Sequence, residues 1–279
     1  MVIKTKLINS EKVKPIITNK HNKEDILGGD MFDLYSNIYI GAKKMSGKST
    51  TLAHILKKCC NKLTTIIIFS STINKDPTML EIIRMLRNKG CNVITHEHFI
   101  DGKVNILEDL IDELKKEEEN DSDIESDEEV TFEDFVSGLK NPKIKSEDEK
   151  KKKKYVYKPK KIAPKYFLVM DDMGNDMRNN QIYKLLLKNR HFFMKTCLVS
   201  HFATDLTNQA RKQLDYVLLF KSFNEEKLKT FYDGMDLSID FDKFLQLYEY
   251  ATKEKFNFLY IDVKNEKFRK NFNEELNFE

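Results

Sequence analysis

Residues 41–50, with the sequence GAKKMSGKST, have the types and spacing needed to hold phosphate. In such a loop, successive backbone N–H groups form a concave anion cradle, and the helix that follows directs its positive end to the same point. Lys48 could then reach the β- and γ-phosphates of a nucleoside triphosphate, and the Ser49 hydroxyl could ligate Mg²⁺. We predict that the whole loop contacts such a nucleotide: Gly41, Ala42, Lys43, Lys44, Met45, Ser46, Gly47, Lys48, Ser49 and Thr50.

The first position of this loop departs from the usual pattern. A glycine is common where Ala42 stands, and here Gly41 lies one residue earlier. Glycine is the residue that adopts unusual backbone angles without steric cost. We therefore expect Gly41 to supply the unusual angles that the loop needs.

Two consecutive acids further along the chain could complete a hydrolytic site. Asp171 and Asp172 directly follow the apolar run Tyr166–Met170, which has the pattern of a buried strand. An acid at such a strand end can hold Mg²⁺ through water, and we assign this role to Asp171. We expect Asp172 to face the γ-phosphate and to orient or deprotonate the attacking water. ATP and Mg²⁺ are thus the expected cofactors.

The same acids also fit the D-x-x-G pattern of GTPases, through Asp171 and Gly174. Those enzymes read guanine with an N-K-x-D motif, and none follows in this chain. The segment Asn74–Asp76 lies upstream and has the wrong spacing, so we set a GTPase aside.

Polar and cationic residues downstream could sense or stabilise the transferred phosphate. Ser200 and His201 end the next apolar run and would lie near the γ-phosphate. Arg190 and Arg211 are candidates for a catalytic arginine, because cations stabilise the charge that develops in phosphoryl transfer. We expect Lys48, Asp172, His201, Arg190 and Arg211 to be catalytic.

Apolar runs alternate with helical patterns, which predicts an α/β fold with a mainly parallel sheet flanked by helices. The predicted strands are Asn37–Ile40, Thr64–Phe69, Cys91–Thr95, Tyr166–Met170, Thr196–Ser200, Tyr216–Phe220 and Phe256–Asp262. The predicted helices are Lys48–Lys58, Pro77–Lys89, Val104–Lys116, Asn180–Lys188, Leu206–Gln213, Glu225–Tyr232 and Phe241–Lys253. A charged tail follows the last strand. Residues 1–35 are weakly patterned, so we predict an N-terminal segment (1–35) and one domain (36–279).

Charge is distributed unevenly behind a net charge of +3. Residues 117–134 contain eleven acids and no Lys or Arg, whereas residues 140–161 contain eleven Lys against three acids. Such runs cannot bury apolar surface, so we expect 115–161 to be a charged, disordered insert. The spacing of the four cysteines and of His96–His98 favours neither a zinc nor a redox site. No stretch has the length of a membrane span or the pattern of a signal peptide, so we expect a soluble chain.

Five segments give the chain a resemblance to the genome-packaging ATPases of poxviruses and giant viruses, in the FtsK–HerA superfamily of P-loop NTPases. The resemblance extends over about residues 32–268 without the insert. It is carried by Phe32–Ser36 with the Lys-Lys loop, the strand and acids Phe167–Met173, the Arg190-His191 segment, the Arg211–Phe220 segment, and the closing segment Thr252–Asp262.

The resemblance implies a RecA/FtsK-like motor that uses ATP to pump double-stranded DNA into a preformed capsid. It also implies a ring of identical subunits, with capsid or portal proteins as further partners. An arginine from the neighbouring subunit would complete each site, and Arg190 and Arg211 are the positions that could supply it. The family sensor is usually Gln, and His201 matches its position. The expected location is the host-cell cytoplasm, with the virion as a second location.

Two other functions use the same loop. A nucleotide or polynucleotide kinase would transfer the γ-phosphate to an acceptor, although no arginine-rich lid follows the acids. An ATP-binding assembly switch would bind without turnover. Hydrolysis that duplex DNA stimulates would distinguish the motor from both.

Overall fold

The computed structural model describes residues 21–124 and 161–278 as an α/β fold. Its strands are β1 (Asn37–Gly41), β2 (Thr65–Ser70), β3 (Asn92–His96), β4 (Ile100–Asp101), β5 (Val104–Asn105), β6 (Tyr166–Asp171), β7 (Met194–Ser200), β8 (Tyr216–Phe220), β9 (Phe258–Asp262), β10 (Lys267–Lys270) and β11 (Glu274–Leu276). Its helices are α1 (Lys48–Cys59), α2 (Pro77–Asn88), α3 (Ile106–Ile124), α4 (Asn180–Leu187), α5 (Asn208–Arg211), α6 (Glu225–Met235) and α7 (Phe241–Ala251).

A nine-stranded sheet with the order β11-β10-β9-β8-β1-β7-β6-β2-β3 forms the centre of the fold. The six strands from β8 to β3 in this order are parallel, whereas β9, β10 and β11 extend the sheet with antiparallel pairing. Strand β7 follows β6 in sequence but lies between β1 and β6. We call the side of the sheet where the parallel strands begin the amino edge, and the side where they end the carboxyl edge.

Successive side chains along each buried strand point to opposite faces of the sheet, so they pack into two separate cores, one on each face. In β1, Tyr39 joins the core with α3, α4, α6 and α7, whereas Ile38 and Ile40 join the core with α1 and α2. Every residue of β1 and β7 is buried. Helices on both faces are the arrangement expected for buried parallel strands, and the α/β prediction is confirmed.

The end of the chain differs from the sequence expectation of a charged tail. Residues after Asp262 form β10 and β11, because Phe268 enters the core and Arg269 lies over the Tyr260 ring at 5.0 Å. A short β4–β5 hairpin also precedes α3 and was not predicted. Helix α3 itself continues to Ile124, into the first part of the expected insert, and residues 125–160 of that insert lie outside the described residues.

The described part of the N-terminal segment packs on the sheet. Phe32 is fully buried and makes an edge-to-face contact with Tyr216, with ring centroids 5.1 Å apart. Leu27 and Ile162 are hydrogen-bonded neighbours, so the two described stretches of chain meet there. Within residues 21–124 and 161–278, no helix has the length and apolarity needed to cross a membrane.

Candidate active site

The predicted phosphate loop has its expected setting between β1 and α1. Gly47 is the residue before the helix and has φ of 102°, and Met45 has φ of 61°. These two left-handed angles turn the chain from the strand into the helix. The Ser46 hydroxyl donates to the Lys43 carbonyl at 2.7 Å and closes the turn. The free N–H groups of the first turn of α1 therefore lie at the carboxyl edge of the sheet.

Gly41 does not supply the unusual backbone angle that we expected. It is the last residue of β1, and the positive φ angles of the loop belong to Met45 and Gly47. Its small size matters for another reason: a Cβ at Gly41 would come within 2.9 Å of the Phe223 ring and 3.0 Å of the Tyr39 ring. Close packing, not backbone freedom, thus accounts for glycine at this position.

Three of the predicted residues converge around the ammonium of a fourth, Lys48. Its Nζ lies 3.5 Å from Oδ1 of Asp171, 3.9 Å from Oδ2 of Asp172 and 3.3 Å from Nε2 of His201. The same His201 nitrogen lies 3.3 Å from Oδ2 of Asp172. A cation, two acids and an imidazole thus share one corner of the carboxyl edge.

The strand order explains why His201 joins this group. Because β7 lies between β1 and β6, its carboxyl end falls between the phosphate loop and the two acids. The His201 Nδ1 is 2.6 Å from the Ala42 carbonyl oxygen, which can only accept, so Nδ1 carries a hydrogen. The imidazole is therefore oriented by the loop itself, with Nε2 directed at Lys48 and Asp172.

The two acids have different environments. The Asp171 side chain is 5% exposed and the Asp172 side chain 34%. Asp172 has φ of 56°, a left-handed angle that Asp tolerates better than most residues, and its N–H donates to the Val199 carbonyl at 3.1 Å. Ser71 donates its hydroxyl to the Asp172 carbonyl at 3.0 Å. Asp172 is thus held where water can reach it.

Burial is the main cause that raises the pKa of Asp171 above its ordinary value, and the negative charge of Asp172 adds to it. Lys48 acts in the opposite direction without cancelling the effect. The Oδ1 atom of Asp171 is buried, and it faces the Lys48 ammonium at 3.5 Å without a shorter hydrogen bond among the described residues. An anionic oxygen in this state is suited to a cation or to its bound water.

The types of the two predicted ligands are compatible with Mg²⁺, whose binding stays a prediction. Ser49 and Asp171 offer a hydroxyl and a carboxylate, and Mg²⁺ prefers such oxygen ligands. Among the described residues there is no cluster of three or more His, Cys, Asp or Glu side chains that could hold a metal on its own. Mg²⁺ commonly takes one or two protein ligands and completes its shell with phosphates and water, so the small donor set suits it.

Hydrogen bonds from neighbouring residues fix the segment that carries His201. Ser200 hydrogen-bonds the buried Asp205 carboxylate through Oγ, and the same hydroxyl accepts from the Phe202 N–H at 3.1 Å. Tyr39 in β1 donates its hydroxyl to the Phe202 carbonyl at 3.3 Å. Burial raises the pKa of Tyr39, which therefore stays a neutral donor. These bonds fix the turn that follows β7.

Of the two candidate arginines, Arg190 lies away from this cluster, whereas Arg211 is close enough to Tyr39 for their charges to interact. Arg190 precedes β7 and therefore lies at the amino edge, about 20 Å from the phosphate loop by the rise of a seven-residue strand. One of its guanidinium nitrogens is 3.7 Å from Oδ1 of Asp215. Arg211 ends α5 and donates to the Leu206 carbonyl at 2.7 Å. Burial lowers the pKa of its guanidinium. Neither residue joins the cluster around Lys48, and their role toward a neighbouring subunit stays a prediction.

Three residues at the site were not identified from the sequence. Ser70 ends β2 in register with Asp171, and its buried Oγ has no hydrogen-bond partner among the described residues. The Ser222 hydroxyl accepts from the Lys43 N–H at 2.8 Å, and Phe256 packs against Gly47. Ser70 could have been found, because it directly follows a predicted strand. Ser222 and Phe256 have no such signal, since they meet the loop only through the fold.

The strand–loop–helix, the sheet order and the acids at the end of β6 define the fold of the P-loop NTPases. Among solved structures, the chain is similar to the genome packaging NTPase B204 of Sulfolobus turreted icosahedral virus 2 in complex with AMPPCP. The TM-score is 0.51 at 13% identity, covering 86% of this chain and 98% of that one.

A second similar structure is B204, the DNA-packaging ATPase from Sulfolobus turreted icosahedral virus, with a TM-score of 0.50 at 14% identity, covering 84% of this chain and 96% of that one. A third, EssC from Geobacillus thermodenitrificans, has a TM-score of only 0.42 at 14% identity, covering 66% of this chain and 32% of that one. At these identities the similarity establishes the fold alone. No protein-family model matches the chain, and no curated protein matches it.

Proposed function

We propose that this protein hydrolyses ATP in the presence of Mg²⁺. The observation that carries the proposal is the convergence of Lys48, Asp171, Asp172 and His201 at the start of α1, with Lys48 Nζ within 3.9 Å of all three partners. A structural ion pair would need only one acid. Two acids of different exposure beside a phosphate cradle match what phosphoryl transfer requires.

The chemistry follows from the positions of these groups. The loop N–H groups and Lys48 bind the β- and γ-phosphates and neutralise their charge. Asp172, the more exposed acid, orients the water that attacks the γ-phosphorus and accepts its proton. The bond between the γ-phosphorus and the β–γ bridging oxygen then breaks and releases ADP and phosphate. Nε2 of His201 can accept a hydrogen bond from the attacking water beside the γ-phosphate.

Ser49 and Asp171 are the residues that would hold Mg²⁺, Asp171 through a water molecule. The bound ion would supply charge neutralisation at the phosphate oxygens. Asp171 is suited to this task because its buried carboxylate is destabilised as an isolated charge. A cation in contact with its water shell offsets that cost.

We further propose that hydrolysis drives translocation of double-stranded DNA during virus assembly. The support is the order of the family segments in the sequence, together with a fold shared with proteins described as genome packaging NTPases. A ring of subunits, each completed by Arg190 or Arg211 of its neighbour, and a capsid or portal partner belong to the same proposal. Its site of action would be the cytoplasm of the infected cell. Without residues 115–161, basic residues exceed acidic ones by only four, so DNA contacts would have to be concentrated in a pore.

The test is ATP hydrolysis by the purified chain with and without duplex DNA, read together with its mass in solution. We expect hydrolysis that Mg²⁺ supports and duplex DNA stimulates. Lys48→Ala should lower the rate at least about 100-fold, because it removes the main cation at the transferred phosphate. Lys58→Ala is the matched control, since Lys58 lies exposed in the last turn of the same helix.

The outcomes separate the three candidate functions. Hydrolysis that Lys48→Ala leaves intact would refute the site. A monomer whose hydrolysis ignores DNA would refute the motor but retain the hydrolase. Transfer of the γ-phosphate to a nucleotide or to a DNA 5′ end would identify a kinase. Tight ATP binding without turnover would identify an assembly switch.

A further inference from the structure

An exposed aromatic residue with a strained backbone lies beside the phosphate loop. Phe256 is in the turn between α7 and β9, is 58% exposed and has φ of 72°. Bulky residues rarely adopt left-handed angles, and they keep them only where the surrounding structure enforces them.

The turn around Phe256 is held by side-chain hydrogen bonds. Asn257 donates to the Glu254 carboxylate at 2.8 Å, and Asn271 donates to the Asn257 side-chain oxygen at 3.0 Å. Asn271 also accepts from the Phe258 N–H at 3.2 Å, and Lys270 lies 3.5 Å from the Glu254 carboxylate. The turn is therefore anchored to the strands next to it, and the Phe256 ring is held in a defined position.

The Phe256 ring packs directly against Gly47. A Cβ at Gly47 would lie 3.4 Å from Cδ1 of Phe256. Gly47 is the residue before α1, so the phosphate cradle and the ring are in contact. The Lys255 ammonium lies over one face of the ring, 4.8 Å from its centroid, so a stacked base would use the other face. An aromatic surface thus borders the place where the phosphates would bind.

We propose that Phe256 is the stacking platform for the base of the nucleoside triphosphate whose phosphates occupy the loop at Gly47–Ser49. This proposal rests on the function proposed above. In a nucleotide, only the α-phosphate and the ribose separate the base from the β-phosphate, so a group in contact with Gly47 lies within reach of the base. Every base has a π-face, so we expect ATP and GTP to stack with similar strength.

The chain offers a direct test because it contains no tryptophan. Phe256→Trp places a single fluorophore at the proposed platform, and a stacked base should quench it. We expect ATP and GTP with Mg²⁺ to quench the emission. Inorganic tripolyphosphate occupies the same phosphate cradle without a base and should leave the emission unchanged.

Phe193→Trp is a matched control. Phe193 is also exposed (38%), also has a positive φ of 49°, and lies at the amino edge of the sheet. Its tryptophan should not respond to ATP. A quench of both variants, or a change that follows protein concentration and not nucleotide, would overturn the proposal. The latter result would instead indicate a contact between subunits.

Measurements of ATP and tripolyphosphate binding provide a second test, without an added tryptophan at position 256. Phe256→Ala should weaken ATP binding about tenfold or more, the size typical of losing a base–aromatic stack, and leave tripolyphosphate binding unchanged. Phe256→Tyr should restore ATP binding. If wild type binds ATP and Phe256→Ala binds it equally well, the platform is refuted and the hydrolase proposal stands. If wild type binds neither ATP nor tripolyphosphate, both proposals fall.

Discussion

The two edges of the parallel sheet are built differently. At the amino edge, Asn37 has a partner for each of its polar groups, although the buried Asn189 Nδ2 has none among the described residues. The Asn37 side chain donates to the carbonyls of Leu186 and Gln213 and accepts from the Thr196 hydroxyl, all within 2.9 Å, while its backbone N–H donates to Asp215 at 2.8 Å. At the carboxyl edge, the buried Ser70 hydroxyl has no hydrogen-bond partner among the described residues, and the buried Asp171 Oδ1 has an ion pair with Lys48 at 3.5 Å but no shorter hydrogen bond.

Burial alone does not explain this difference. Burial raises the pKa of both Asp215 at the amino edge and Asp171 at the carboxyl edge. The Asn37 N–H and Arg190 oppose the rise at Asp215, and Lys48 opposes it at Asp171, without cancelling it in either case. The carboxyl edge also contains the left-handed residues Met45 and Asp172. The amino edge thus holds the strands together through Asn37, whereas the carboxyl edge combines left-handed residues with a buried hydroxyl and a buried carboxylate that a ligand could use.

The largest effect on stability should come from the amino edge. Asn37→Ala would leave three buried partners without their bonds, so we expect a loss of about 3 kcal/mol in the free energy of unfolding. Urea denaturation measures this loss. Hydrolysis per folded molecule should stay near the wild-type rate. Asn92→Ala is the control, because Asn92 also begins a parallel strand but is exposed, and it should change stability by less than about 0.5 kcal/mol. Equal losses for the two variants would contradict the comparison.

A smaller effect of opposite sign should come from Asp171→Asn. The environment disfavours the carboxylate, so the neutral amide should raise the free energy of unfolding by about 1 kcal/mol at neutral pH while lowering hydrolysis. That gain corresponds to about 2–4 °C in melting temperature for a domain of this size.

The pH dependence of stability provides an independent test of whether Asp171→Asn stabilises the protein. Because the pKa of Asp171 in the folded protein is raised above its ordinary 3.8, the folded state retains a proton that the unfolded chain has released. Wild-type stability therefore falls as pH rises from about 3.8 through the folded-state pKa. The advantage of Asp171→Asn should shrink toward acid pH, where the carboxyl is protonated in both states. A lower melting temperature at neutral pH would contradict the assignment.

The smallest expected effect is the difference in stability between alanine variants of two fully buried serines. Ser36, at the amino edge, donates to the Asp33 carbonyl at 3.1 Å, whereas the Ser70 hydroxyl at the carboxyl edge has no such partner among the described residues. We expect Ser36→Ala to cost about 1 kcal/mol and Ser70→Ala to be neutral or to stabilise by about 0.5 kcal/mol. Thermal melts of the two variants measure the difference. The reverse order would show that Ser70 is satisfied in solution.

Much of the fold was predictable because it follows from local patterns. The apolar runs gave seven strands of the main sheet within about two residues, from β1 to β9, and Pro77 marked the start of α2. Strands β10 and β11 were missed because charged residues dominate them, and Phe268 acquires a buried face only through pairing with β9.

The site was predictable in part for the same reason. Lys48, Asp171, Asp172 and His201 each stand at the end of a strand or the start of a helix, and the carboxyl ends of parallel strands meet. The reason for glycine at position 41 could not be predicted, because the Phe223 ring that excludes a side chain there comes from a distant turn. The left-handed angle was expected at Gly41, whereas the structure has it at Met45.

The sequence by itself determined the phosphate loop, the acid pair and the parallel α/β class, since these depend on residue type and short-range periodicity. Only the tertiary structure decided that β7 separates β1 from β6, which places His201 between the loop and the acids. It also decided that Arg190 lies at the opposite edge and that Phe256 borders Gly47. The physical reason is that strand order and loop contacts depend on how whole elements pack, and no short stretch of sequence contains that information.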